Sequence, residues 1–388
     1  MISKEPSWTV SPSNKIQINS VAIDAKGKYS IFGSSSEFDS GCFAVYCYNA
    51  EGKQCWQQPI SMEPSYQGVF WVAISNDGCY AAAGGELAKK GDGFLHAYSV
   101  EDGTSLLKVK LKARVNQVSL SHDGQLLLAI FDDTVQLYQL KAGQYQMVSD
   151  TTFPGFSCNS CALSDNGQHA VVSTIKYNDD DDTTTGKIAA FDIVSNKLKA
   201  LSPCILPVGS MRVAITDSGK NWGASLHDGS CVAFSHGNPN TALWQYKPDI
   251  DGLELAYGFD MTQTSDETIL LAVGANKSGI KQGCVYLLES ADSKALLKWQ
   301  ADLDYAANPG ISLDKEGLYV TATDGKPTDE NVKVVQESPG HFYLFDGKTG
   351  TQQWKYKTTL MNWPMMINYN GDKIIGASDN GTAYFWEK

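Results

Sequence analysis

"VAISNDGCYAAAG", Val72–Gly84, reads as a short apolar strand, a polar turn of the type Ser-x-Asp-Gly, and a second apolar strand. Ser, Asp and Gly suit such a turn for different reasons. The first two bond nearby backbone N–H groups, and glycine accepts the left-handed conformation. The phrase recurs, and its recurrence decides the fold.

The other copies are "VAIDAKGKYSIFG" from Val21, "VSLSHDGQLLLAI" from Val118, "CALSDNGQHAVVS" from Cys161 and "VAITDSGKNWGAS" from Val213. A degenerate copy, "FDMTQTSDETILLAVG", starts at Phe259, and the last two, "ISLDKEGLYVTAT" and "MINYNGDKIIGAS", start at Ile311 and Met366. Each continues through a loop ending in Gly to a third strand such as "GFLHAYSV" or "GHFYLFD". A fourth strand follows, often holding a tryptophan: Trp56, Trp244, Trp299 or Trp354. Four short strands every 43–55 residues, with no helical periodicity, predict an all-β chain. The expected architecture is an eight-bladed β-propeller of four-stranded antiparallel blades, a single domain over residues 1–388. Discounting the degenerate sixth copy would leave seven blades.

The last copy has three strands and ends in "DNGTAYFWEK". A bare strand edge there would template aggregation. "EPSWTVSP" near the start matches the fourth strands, so Trp8–Val10 is expected to pair beside Thr382–Trp386 and close the ring.

The wording of the first two strands, and the ending "DNGTAYFW", resembles WD-repeat propellers. The third and fourth strands, with "FDGKTGTQQW", are similar to quinoprotein-like repeats, those of pyrroloquinoline quinone dehydrogenases and outer-membrane assembly propellers of bacteria and archaea. The resemblance spans essentially the whole chain and implies a fold rather than an activity. Those dehydrogenases carry two adjacent cysteines beside the cofactor. This chain has no Cys-Cys pair, so no cofactor is expected.

A net charge of −12 and a pI near 4.9 argue against nucleic acid, and no apolar run approaches the ~18 residues of a membrane span. Nine irregularly spaced cysteines and the absence of a signal-like start suit a reduced, cytoplasmic protein, expected as a monomer.

Several motifs have plain structural readings. The fourth-strand tryptophans are expected between blades, and Asp346–Gly350, "DGKTG", is a hairpin turn without the helix of a phosphate loop. In Cys158-Asn-Ser-Cys161, Cys161 stands where valine stands in other copies, a buried position. The run Asp179–Asp182 would be a solvated loop or a Ca²⁺ site, although the spacing of a Ca²⁺ loop is missing. Six histidines spread over five blades are not expected to converge on a metal.

Propeller ligands usually sit at a channel mouth, where chain segments enter the first strands. Two residues before each strand stand Asn19, Phe70, Asn116, Asn159, Met211, Tyr257, Pro309 and Pro364, with Trp71, Asn308, Asn362 and Trp363 nearby. Of 31 basic residues only Arg114 and Arg212 are arginines, and both fall on these segments. A guanidinium suits bidentate binding of a carboxylate or phosphate, and equally suits buried pairing with Asp132, Asp133 or Asp228. The long loops after the second strands of blades 4 and 7, and His227 in a like position, share this face. The expected function is a non-enzymatic scaffold taking a protein partner or a small anionic ligand at the mouth. The alternative is an enzyme acting there on an anionic small molecule, with Arg212, Arg114, His227 and loop carboxylates as its groups.

Overall fold

The repeated turn is held by its own side chains. In a computed structural model of the chain, Ser75 Oγ accepts bonds from the Cys79 and Tyr80 amides (3.2 and 3.0 Å), while Asp77 Oδ1 accepts from Cys79 (3.0 Å) and from the Ser75 hydroxyl (2.6 Å). Ser121 with Asp123 and Ser164 with Asn166 repeat the arrangement. The structure describes residues 3–12, 17–35, 43–61, 68–87, 91–178, 183–201, 203–277, 282–291, 293–326 and 338–388. The Asp179–Asp182 run and residues 327–337 of the blade-7 loop lie outside them.

Among the described residues eight antiparallel blades follow one another along the chain, four-stranded except that the outer strand of blade 4 is in two pieces, Lys197–Ala200 and Cys204–Leu206, and two blades are joined by a single pairing of Ser35 with Gly68. Blade 2, for example, comprises Gly68–Ile74, Tyr80–Glu86, Gly93–Ser99 and Ser105–Leu111. The degenerate sixth copy forms a full blade: Leu253–Gln263, Ile269–Lys277, Gly283–Ala291 and Lys294–Asp302. Each innermost strand touches the innermost strand of the next blade, and that of blade 8 touches that of blade 1, so the ring is closed around a channel. No described residue is helical, and no helix is long and apolar enough to cross a membrane.

Blade 8 is completed from the start of the chain. Trp8, Thr9 and Val10 pair antiparallel with Phe385, Tyr384 and Ala383. Nearby, the Trp386 indole donates to the Lys4 carbonyl at 3.0 Å.

Tryptophans cement neighbouring blades, as their shared register suggested. Trp56 Nε1 donates to the Val100 carbonyl, Trp299 Nε1 to that of Gly347, and Trp8 Nε1 to that of Ala50, at 2.8, 2.8 and 2.9 Å. Each ring lies on a turn glycine of the next blade. A Cβ at Gly103 would stand 2.8 Å from Trp56 Cγ, and one at Gly52 2.8 Å from Trp8 Cγ. Both glycines also have positive φ, 73° and 76°, so the contact and the backbone demand the same residue. The junction of blades 8 and 1 is therefore built like those of blades 1 and 2 and of blades 6 and 7.

Hydrogen bonds also tie the inner strands together. Ser20 Oγ accepts from the Val72 amide (2.8 Å), Ser160 Oγ from Val213 (3.1 Å) and Asp260 Oδ2 from Leu313 (2.7 Å). The Cys158-Asn-Ser-Cys161 motif lies in such a strand with both thiols buried and free.

Candidate functional site

Seven innermost strands carry a register break at the same place. Pairing with the second strand skips between Ile18 and Ser20, Val69 and Trp71, Val115 and Gln117, Cys158 and Ser160, Ser210 and Arg212, Ala256 and Gly258, and Asn362 and Met365. In blade 7 the inner strand is split outright, into Ala306–Ala307 and Ser312–Leu313. A bulge leaves one residue unpaired and re-aims its side chain. The skipped residues are Asn19, Phe70, Asn116, Asn159, Met211, Tyr257 and the Trp363-Pro364 pair, so the bulge is the device that turns the rim toward the channel.

These residues enclose a cavity of about 380 Å³ lined by Asn19, Phe70, Trp71, Arg114, Asn116, Asn159, Met211, Arg212, Tyr257, Pro309 and Trp363. Of the residues singled out in the sequence, Arg212, Arg114, Asn19, Trp71, Asn116, Asn159, Tyr257 and Trp363 are brought together there. Asn308, Asn362 and His227 are not. Asn308 and Asn362 are buried behind the rim, where the Asn308 amide donates to the Asn362 carbonyl at 2.6 Å. The His227 ring stands edge-on to Tyr177, 6.3 Å away.

The rim amides are less free than the sequence suggested. Asn116 Nδ2 donates to the Cys158 carbonyl (2.8 Å), and Asn159 Nδ2 to those of Ser210 and Met211 (3.1 and 3.0 Å). They fasten one blade to the next rather than offering donors to a ligand.

Of the two readings of the arginines, pairing with aspartates is not what the structure shows. Among the described residues neither forms an ion pair, so the partners Asp132, Asp133 and Asp228 are not engaged. Both guanidiniums stack on aromatic rings instead. Arg212 lies 4.9 Å from the Trp71 centroid and 5.8 Å from that of Tyr257, and Arg114 lies 5.0 Å from Phe70. Arg114 Nε donates to Asn116 Oδ1 at 3.0 Å, whereas the buried Arg212 Nε has no hydrogen-bond partner among the described residues. Burial draws the Arg212 guanidinium below its usual range, opposed by Tyr257. A cation held by rings costs less desolvation than a bare one and keeps its donors for an anion.

Below the rim the channel continues as a second cavity of about 340 Å³, sharing Asn19, Trp71, Arg212 and Pro309 with the first. Its far opening, missed in the sequence, has the opposite character. Asp165 accepts from Asn76 Nδ2 at 2.9 Å and faces His122 Nδ1 at 3.5 Å. Asp217 pairs with Lys315 and accepts from the Tyr369 hydroxyl at 3.3 Å. Burial, then the neighbouring Asp217, raises the Asp165 carboxyl. These contacts join blades 2, 3 and 4, and blades 5, 7 and 8. Their residues sit in the repeated turns, which were read only as turns.

The lining of the mouth includes no carboxylate, histidine, cysteine, serine or lysine among the described residues. It can bind and orient an anion between rings.

The fold so defined is a β-propeller. No protein-family model and no curated protein matches the sequence. Solved structures do match in shape. Saccharomyces cerevisiae Sqt1 is similar with a TM-score of 0.71 and 11% identity over 100% of both chains. Chaetomium thermophilum Sqt1, bound to the N-terminus of the ribosomal protein L10, gives 0.70 and 12% over 97% of this chain and 98% of that one. The Cps50 (Swd1) β-propeller domain of Myceliophteria thermophila gives 0.55 and 13%, over 82% and 96%. At such identities the likeness shows the fold alone.

Proposed function

We propose that the protein is a binding scaffold, monomeric and cytoplasmic, whose arginine-lined mouth receives a carboxylate carried by a segment of a protein partner. The observation that carries this reading is Arg212. It is a guanidinium stacked between Trp71 and Tyr257, with no acidic partner among the described residues and a cavity of about 380 Å³ in front of it. The net charge of −12 disfavours a polyacidic ligand, so the segment is neutral or basic apart from the carboxylate. The peptide-bound Sqt1 structure supports a protein partner for a propeller of this shape. The lining of the mouth, two guanidiniums among aromatic rings and amides, supports binding of a carboxylate.

The test is a peptide array on neutral and lysine-rich backbones, each peptide carrying one Asp, Glu or free C-terminus beside its Asn, Gln or amidated counterpart. Binders should depend on the carboxylate. Arg212→Leu should weaken them roughly 10–150-fold, the value of one charge-assisted bond of about 1.5–3 kcal/mol, while the urea midpoint stays unchanged. Binding indifferent to both the carboxylate and Arg212 refutes the proposal.

A further inference from the structure

Tyr80, Leu126 and Leu270 each lay an apolar side chain on a turn glycine of the following blade: Gly124, Gly167 and Gly317. Blade 4 fills the same place, over Gly219, with His169. An imidazole is a poor substitute for a leucine as filler, and this one turns its Nδ1 toward Asp192, its cross-strand partner, at 3.1 Å. From blade 5, His236 brings Nε2 to 2.9 Å from the same Asp192 Oδ1. The two rings stand 4.8 Å apart at 66°, and the three donor atoms all lie within 4.8 Å of one another.

We propose that His169, Asp192 and His236 bind a first-row divalent cation of the Zn²⁺ class, clamping blade 4 to blade 5. Zinc holds imidazole nitrogen and carboxylate oxygen at about 2.0–2.2 Å, which sets tetrahedral neighbours roughly 3.4 Å apart. The two N–O separations, 3.1 and 2.9 Å, are already close to that. Two imidazoles and one carboxylate select Zn²⁺, Ni²⁺ or Cu²⁺ over Mg²⁺ and Ca²⁺, which prefer all-oxygen shells. The donors are fixed by backbone pairing. His169 and Asp192 face each other across adjacent strands, and the His236 amide donates to the Lys220 carbonyl at 2.8 Å. The His236 side chain is 41% exposed, so the cation has a way in and water can complete its shell.

The experiment is calorimetric titration of the chelator-stripped, full-length protein with ZnSO₄ and with MgCl₂, beside thermal melts and the Co²⁺ absorption spectrum. One Zn²⁺ should bind per chain and raise the melting temperature, Mg²⁺ should do neither, and bound Co²⁺ should show no thiolate charge-transfer band. His236→Ala, at a partly exposed site, and Asp192→Asn should each weaken Zn²⁺ at least tenfold. The exposed thiols Cys55 and Cys79 are the competing ligands. Absence of Zn²⁺ binding, binding unaffected by His236→Ala, or binding lost in a Cys55→Ser/Cys79→Ser variant each overturns the proposal.

Discussion

Replacing Trp8 by alanine tests the closure of the ring, and Trp56→Ala supplies its internal standard. Trp8 stacks on Phe385 at 4.8 Å and 6°, lies 6.0 Å from Tyr48, and bonds the Ala50 carbonyl. Trp56 makes the equivalent bond to Val100 and lies 5.5 Å from Tyr98, within a chain segment that no terminus interrupts. Truncating a buried tryptophan costs about 3–5 kcal/mol, and the 8% exposed Trp56 should fall in that range. Trp8 is only half-buried. Its lost area, one stack and one hydrogen bond together suggest roughly 2–3 kcal/mol. Urea unfolding followed by circular dichroism gives both values. Static light scattering should also rise for Trp8→Ala, because the last blade then offers a free strand edge. A cost below about 0.5 kcal/mol at Trp8, beside a full cost at Trp56, would refute the closure.

Gly103→Ala should destabilise by roughly 2–4 kcal/mol in the same assay, since alanine must adopt a positive φ and press its Cβ into the Trp56 ring. Asp314 links stability to pH. The residue is 1% exposed, and burial pushes its carboxyl up to about 6 despite bonds from the Tyr319 and Glu316 amides (2.6 and 3.2 Å). A raised carboxyl means the folded state holds the proton more tightly, so its stabilising contribution is complete below about pH 4 and is lost as pH rises through about 6. Asp314→Asn lacks this dependence, and Asn368 caps the corresponding turn of blade 8. Between pH 4 and 7 the parent should therefore lose up to about 3 kcal/mol relative to the variant, read from urea midpoints.

The blades were legible because each copy spells its turn in side chains, and the rim positions were legible by counting back from those turns. The bulge was not. It is a slip of register that depends on which residue of the second strand the first one meets. Asn308 and Asn362 were read as rim because their types suit a pocket, yet whether an amide faces the channel or the next backbone is settled across two blades. For the arginines the sequence left two readings open, an anion site or pairing with aspartates. Stacking prevailed because Trp71 and Tyr257, from blades 2 and 6, converge on blade 5 only when the ring closes. His169 and His236 lie in adjacent blades, a proximity their sequence separation hides, although a histidine where Tyr80 and Leu126 stand in other copies was the available sign.

The partners Trp8 and Phe385 also differ in when they exist. At about 5–20 residues per second, a ribosome takes roughly 20–75 s to travel from one to the other. Through that interval Trp8–Val10 is a strand waiting for its mate, while complete blades can already form. Folding the final blade is thus also the recapture of Trp8–Val10, a strand made long before the one it pairs with.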